Sequence, residues 1–341
     1  GEPRPRYGVH APVRVESGVA AFARDLESSE QVWSANVGYP GDPAYREFYR
    51  DLGWDAPLEY LRPHLSPDAR RRDLGLKYHR VTGRDVPLDA KLPYDPEAAA
   101  ARVRAHAQHF VGERIRQARE LSGVMGARAP LVVAPYDAEL FGHWWHEGVE
   151  FLECVLRLLH ERRAEIACVT PGDYLDAAAA NALPLQTQRL SASSWGEEGY
   201  FKVWLSDANA WLYPRQHAAE ARMTALADRF STNEVNDDAT VGAGATDDSA
   251  SSALNSRALR QCARELLLAQ SSDWAFQIYR GATAEYAARR FRRHVARFDA
   301  LAGQLESGAL DERRLAAVER EDNLFAELDP RAFRTRPEAG A

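Results

Sequence analysis

Two acids, a histidine and two tryptophans crowd one short stretch, Ala134-Pro135-Tyr136-Asp137-Ala138-Glu139-Leu140-Phe141-Gly142-His143-Trp144-Trp145. A carboxyl group can give and take a proton, and tryptophan faces beside it form a flat apolar platform. That pairing suits a sugar ring better than a phosphate or a nucleic acid. The stretch follows Leu131-Val132-Val133, an apolar run bounded by Pro130 and Pro135, which predicts a short buried strand. An acid at the end of a buried parallel strand stands where α/β barrels place their chemistry. Asp137 is therefore the candidate catalytic residue, acting at a glycosidic bond. On position alone, an aspartate capping the helix that follows is an equal alternative.

Glu139, His143 and His146 are spaced E-x3-H-x2-H; on a helix they would share one face and could hold a metal. No fourth ligand is evident. The plainer reading has His143 hydrogen-bonding a carboxylate in the cleft and His146 at its periphery, with no metal and no cofactor. For stacking on sugar units the candidates are Trp144, Trp195 in Ser193-Ser194-Trp195-Gly196, Trp204, and Trp54 in Leu52-Gly53-Trp54-Asp55. Core packing is the default for a tryptophan and fits Trp204, Trp211 and Trp33 too, whereas the glycine after Trp195 predicts an exposed ring. Asp273-Trp274 either faces the acceptor side of a cleft or is a surface acid beside a helix-packing ring.

The elements that must position these residues alternate. A helix starts at Asp95-Pro96-Glu97, a capping acid followed by proline. It runs through Val103, Ala107, Phe110, Ile115 and Leu121 to near Gly123. The strand at Leu131 follows, then a helix over 147–162, a strand over 166–169 and a capped start at Thr170-Pro171-Gly172-Asp173. That order implies a parallel sheet. Before residue 95, strands are expected at 8–16 and 75–81, a short helix at 45–52, and a loop-like, lid-forming stretch over 17–31 ahead of Trp33. From about residue 206 the pattern turns helical, over 209–229, 254–271, 283–305 and 311–328. Residues 231–252, mostly small and polar, are expected to form a mobile loop. Gly242-Ala243-Gly244 within it lacks the remainder of a dinucleotide-binding fingerprint.

Among 341 residues, 45% are hydrophobic and 27% charged, ordinary for a globular chain of about two domains. The net charge of −7 argues against a nucleic-acid partner, which needs a positive face. No apolar run is long enough to span a membrane. Cys154, Cys168 and Cys262 lie far apart without ligand spacing and read as buried free thiols in a reducing compartment, so a cytoplasmic location is expected. The runs Arg70-Arg71-Arg72 and Arg289-Arg290 with Arg292-Arg293 read as solvated helix faces.

These residues also carry a resemblance. The stretch from Pro135 to Trp145 resembles the fourth conserved motif of glycoside hydrolase family 57, and Ser193-Ser194-Trp195-Gly196-Glu197-Glu198-Gly199-Tyr200 its fifth. Glu265-Leu266-Leu267-Leu268-Ala269-Gln270-Ser271-Ser272-Asp273-Trp274-Ala275-Phe276 is similar to the helical C-terminal domain of that family's 1,4-α-glucan branching enzymes. Pro3-Arg4-Pro5-Arg6-Tyr7-Gly8, Gln31-Val32-Trp33-Ser34 and Gly38-Tyr39-Pro40-Gly41-Asp42 resemble the same subgroup, so the likeness runs from near residue 3 to about residue 300.

The resemblance implies an α/β fold: an incomplete (β/α)7-type barrel over residues 1–205, with a lid-like insertion, followed by an all-α C-terminal domain over 206–341. It implies a monomer acting on an α-1,4-glucan by retaining double displacement and forming α-1,6 branches. Asp137 would be the general acid/base, and Trp54, His143, Trp144, Trp195, Trp204, Asp273 and Trp274 would bind substrate. Family chemistry requires no metal. The family's nucleophile, a glutamate in an earlier motif resembling Trp-Leu-Pro-Glu-Cys, does not occur here, nor does its histidine-containing first motif. The chain therefore reads as the C-terminal portion of a longer protein. An α-amylase or 4-α-glucanotransferase of the same family and a non-catalytic glucan-binding protein are the alternatives.

Overall fold

Helix signals are local in sequence, and most of them are realised in the computed structural model, which describes residues 4–65, 70–230 and 247–335. The helices are α1 (Leu26–Trp33), α2 (Leu52–Asp55), α3 (Leu58–Leu61), α4 (Pro96–Met125), α5 (Gly148–Glu161), α6 (Pro171–Ala180), α7 (Leu212–Phe230), α8 (Asp247–Ala269), α9 (Ser272–Arg280), α10 (Ala284–Ser307) and α11 (Glu312–Glu321). Three two-residue strands, β1 (Val13–Arg14), β2 (Ala20–Ala21) and β3 (Gln186–Thr187), form a sheet of order β2-β1-β3. The β1–β2 pair is antiparallel and the β1–β3 pair parallel. The architecture is α/β, dominated by helices. Among the described residues no helix is long and apolar enough to cross a membrane.

The chain divides into two compact units, Gly1–Leu190 and Ser191–Ala341, where the sequence suggested a change near 205. The difference lies in the turns before α7. The buried Asn209 donates to the carbonyls of Val203 (2.9 Å) and Ala275 (3.1 Å), which ties those turns to α9 in the second unit.

In the first unit, Asp95 caps α4 by accepting from the amides of Glu97 and Ala98, with Pro96 in the first turn. The apolar stripe Ala99, Val103, Ala107, Phe110, Val111 and Ile115 then packs α4 against Phe151 and Val155 of α5 and against Tyr39, Tyr45, Leu140 and Trp145. The phenol oxygens of Tyr39 and Tyr45 lie 2.7 Å from Nδ1 of His109 and His106 on α4. Backbone approach is close along this loop. A Cβ at Gly41 would meet the Ala35 carbonyl oxygen at 2.0 Å, and one at Gly53 the Arg72 carbonyl oxygen at 1.9 Å.

Several expectations are revised. Segments 131–133 and 166–169 belong to no strand. The Leu131 amide donates to His10 O (2.9 Å) and Val133 O accepts from the Asp25 amide (2.8 Å). The run is thus tied to two different loops by one bond each, and a ladder needs a neighbour laid alongside. Residues 45–51 form bends and an isolated bridge at Arg46, with helix beginning only at Leu52 (α2), and residues 75–81 hold only isolated bridges. The stretch 17–31 contains most of α1. Its cap Asp25 accepts from the Ser28 amide and hydroxyl and from Gln117 on α4. Cys168 is exposed and Cys154 half-buried; only Cys262 is buried. Arg71, far from being merely solvated, donates to the carbonyls of Gly53 and Trp54. The segment expected as a mobile loop, 231–252, lies outside the described residues up to 246, and α8 begins at Asp247.

In the second unit, α7, α8 and α10 enclose Met223, Leu226, Leu259, Leu266, Phe298, Leu301 and Leu305, with Leu315 of α11. A neighbouring cluster joins Leu212, Trp274, Ile278 and Phe291 around α9.

Candidate active site

The loop after Val133 sends Leu140 and Trp145 inward and leaves Asp137, Ala138, Glu139, His143 and Trp144 outward. Tyr136 points back to α1, its hydroxyl donating to the Ser28 carbonyl (2.8 Å). Asp137 is exposed and precedes a 3-10 turn, Ala138–Leu140, at whose start its side chain makes no capping hydrogen bond. The capping role open at the sequence level is therefore not the one its carboxylate performs. Partial burial, aided by the neighbouring Glu139 carboxylate, raises the Asp137 carboxyl above its ordinary range, the direction a proton donor needs. Leu140 and Trp145 turn into the core. Between them Gly142, at φ +97°, lets the chain fold back so that its amide reaches Trp145 O (2.8 Å). His143 and Trp144 are left outward, with Trp144 50% exposed.

The reversal also settles the metal geometry. Residues 138–147 form a 3-10 turn and further turns before α5, so Glu139, His143 and His146 do not have the helical spacing that would align them on one face. His146 instead meets Tyr94 edge-on at 6.1 Å. Among the described residues, a metal-like grouping occurs elsewhere, at Glu265, His294 and Asp322, whose ligand atoms lie within 4.8 Å of one another. Arg297 is paired with Asp322, and Arg290 lies 3.3 Å from His294 Nε2. His294 Nδ1 lies 2.8 Å from Glu265, whose carboxyl is pushed up by burial. Guanidinium groups already compensate the acids, and the cluster cross-links α8 and α10 to the end of α11.

The rings expected to bind substrate divide by unit. In the first unit, Trp54 is 54% exposed and its indole N–H donates to Asp73 (2.9 Å). Trp144 stacks on Phe48, with ring centroids 4.4 Å apart and planes at 28°. His143 stands edge-on to both, 5.7 Å from Phe48 and 5.3 Å from Trp144. In the second unit, Trp195 is 61% exposed. Trp204 is half-buried, donates to Ser194 Oγ (3.1 Å) and leans on Phe276 of α9 (6.2 Å). Asp273 is exposed, but Trp274 is buried, its N–H donating to Leu268 O (2.8 Å) and its ring stacked near His294. Trp274 therefore packs α9, and the sugar-stacking role is open to Trp195 and Trp204.

Phe48 was not singled out in the sequence, and the segment 45–48 was read only as part of a short helix. It lies along the candidate loop. Tyr45 packs on Trp145 (5.6 Å), the Arg46 amide donates to Glu147 Oε1 (3.0 Å), and Phe48 covers Trp144. The spacing of Tyr45 and Phe48 imitates a helix turn, and only the long-range contacts reveal its use.

Comparison with known proteins adds an independent line. The family model for the C-terminal part of 1,4-alpha-glucan branching enzyme matches residues 215–333. The chain is 36% identical over 313 residues to the 1,4-alpha-glucan branching enzyme TK1436 of Thermococcus kodakarensis, covering 91% of this chain and 40% of that protein. Among solved structures, the alpha-amylase AmyC of Thermotoga maritima aligns at a TM-score of 0.71 and 40% identity, covering 98% of this chain and 58% of its own. The GH57-type branching enzyme of Pyrococcus horikoshii aligns at 0.69 and 34% identity, covering 98% and 55%. The chain thus spans about half the length of the relatives it matches.

Proposed function

The chain belongs to glycoside hydrolase family 57, and from that premise we propose that it is the acid/base-bearing part of a 1,4-α-glucan branching enzyme. The observation that carries this reading is Asp137: an exposed carboxyl group raised above its ordinary range, free of any capping bond, beside outward-facing His143 and Trp144. In the proposed double displacement, a glutamate outside the residues present attacks the anomeric carbon while Asp137 protonates the departing glycosidic oxygen. Asp137 then takes the proton from the 6-hydroxyl of an acceptor glucan, whose oxygen attacks the glycosyl–enzyme intermediate to make the α-1,6 branch. The two carboxyl groups would lie about 5–5.5 Å apart, as retention requires. Segments 131–133 and 166–169 would become strands of a (β/α)7-type barrel in the complete protein, with the helical second unit as its C-terminal domain. Trp54, Trp144, Trp195 and Trp204 would offer ring faces to glucose units, while His143 and Asp273 would bond to hydroxyls. A glycogen-like polymer made in the cytoplasm by a monomeric enzyme is the setting this reading favours.

A second reading, hydrolysis, draws on the 40% identity to AmyC. The natural gene product incubated with amylose separates the two: α-1,6 linkages sensitive to a debranching enzyme support transfer, and reducing ends without such linkages support hydrolysis. In either case Asp137→Asn should lower turnover by about 10²–10⁴-fold, the usual worth of a positioned acid/base. Turnover close to wild type in that variant would remove Asp137 from the mechanism, whereas glucan bound with no turnover in the natural gene product would make a glucan-binding protein the better description.

A further inference from the structure

We propose that Phe48 is a positioning residue for the sugar platform, acting through Trp144 and His143 without touching substrate. The inference rests on the reading of Trp144 as a glucan-stacking residue. Its basis is a corner of three rings: Phe48 and Trp144 nearly parallel at 4.4 Å and 28°, and His143 steeply inclined to both, at 87° to Phe48 and 72° to Trp144.

Phe48 is itself held on its other contacts. The Lys77 ammonium lies 5.2 Å from its ring centroid, and Lys77 is anchored 3.2 Å from the buried Asp51 carboxylate. Asp51 in turn accepts from the amides of Gly53, Leu74 and Gly75. On the chain side, the preceding Glu47 is buried and pairs with Lys91 at 3.3 Å, and Arg46 is bonded through its amide to Glu147. Phe48 is absent from the unit's buried core. Its principal ring contacts outside its own loop are the two outward-facing residues of the candidate site.

An exposed tryptophan would otherwise sample several rotamers, and a sugar binding to it would have to order the ring. With Phe48 covering one face, Trp144 is ordered in advance and its remaining exposure is a single presented face, so binding is stronger by what ordering no longer costs. Loss of the partner ring should raise KM for glucan about three- to tenfold, the scale of an aromatic pair, with the effect falling on KM more than on kcat.

The test is a double-mutant cycle in the natural gene product, with glucan KM and kcat measured for Phe48→Ala, Phe48→Tyr, Trp144→Ala and the Phe48→Ala/Trp144→Ala pair. Phe48→Ala should raise KM, Phe48→Tyr, which keeps the ring, should restore it, and the Phe48→Ala penalty should vanish once Trp144 is gone. A penalty of equal size with and without Trp144, or a lowered Tm with unaltered kinetics, would overturn the inference. If Trp144→Ala raises KM while Phe48→Ala does nothing, the inference alone fails. If Trp144→Ala leaves KM at the wild-type value, the platform reading fails and takes the inference with it.

Discussion

Asp137 shows how one side chain acquires a direction of titration from its surroundings. Burial pushes its carboxyl up, and Glu139, two residues on, adds repulsion between like charges. A group with a raised pKa keeps its proton to higher pH, so a reaction that needs it as an acid fails as pH rises through that value. Glu139→Gln removes one of the two causes. The alkaline limb of kcat/KM should therefore move to lower pH in that variant, and a superimposable pH–rate profile would exonerate Glu139. The candidate stretch that holds Asp137, His143 and Trp144 was legible from residue type and order, although position left a capping role for Asp137 equally open. Phe48 was not, because ring stacking joins positions far apart in the chain and leaves no trace in local pattern. For Trp274 the sequence left a cleft-facing and a helix-packing role both open; that it lies 8% exposed against His294 depends on how α9 meets α10.

Among the elements, those with local signals read well and those needing distant partners did not. Pro96 and the Asp95 cap announce α4, and Thr170 with Asp173 forms the capping box of α6. Asp95→Ala should cost about 1 kcal/mol of stability, the usual worth of an N-cap, measurable by denaturant unfolding. An unchanged midpoint would mean that water replaces the cap without loss. Helix α1 went unseen because its buried face carries Ser28 and Ser29, held by hydrogen bonds to Asp25, so no apolar stripe betrays it. The run at 131–133 has strand composition, but pairing is a property of neighbours and cannot be written into three residues.

The whole molecule is two units, each with its own core, divided near residue 190, whereas the sequence pattern turns helical only from about 206 because the turns before α7 carry no boundary signal. Helix α5 adds a feature on the same scale. Its Val149, Leu152 and Leu156 are 58%, 38% and 50% exposed, an outward apolar stripe at helical spacing. Such a stripe favours association. These 341 residues produced alone should self-associate and bind a hydrophobic dye, and Leu156→Glu should lessen both in light scattering and fluorescence; no change would acquit the stripe.

The glycines at 41 and 53 bracket the segment that lies over the candidate loop, and each leaves less than a bond's breadth of slack beside a facing carbonyl oxygen. Evolution, or a laboratory library, consequently has no alphabet to draw on there. A saturation screen across 39–53 scored by folded yield should return two blank columns at those sites, while the exposed Tyr49 between them accepts nearly every letter.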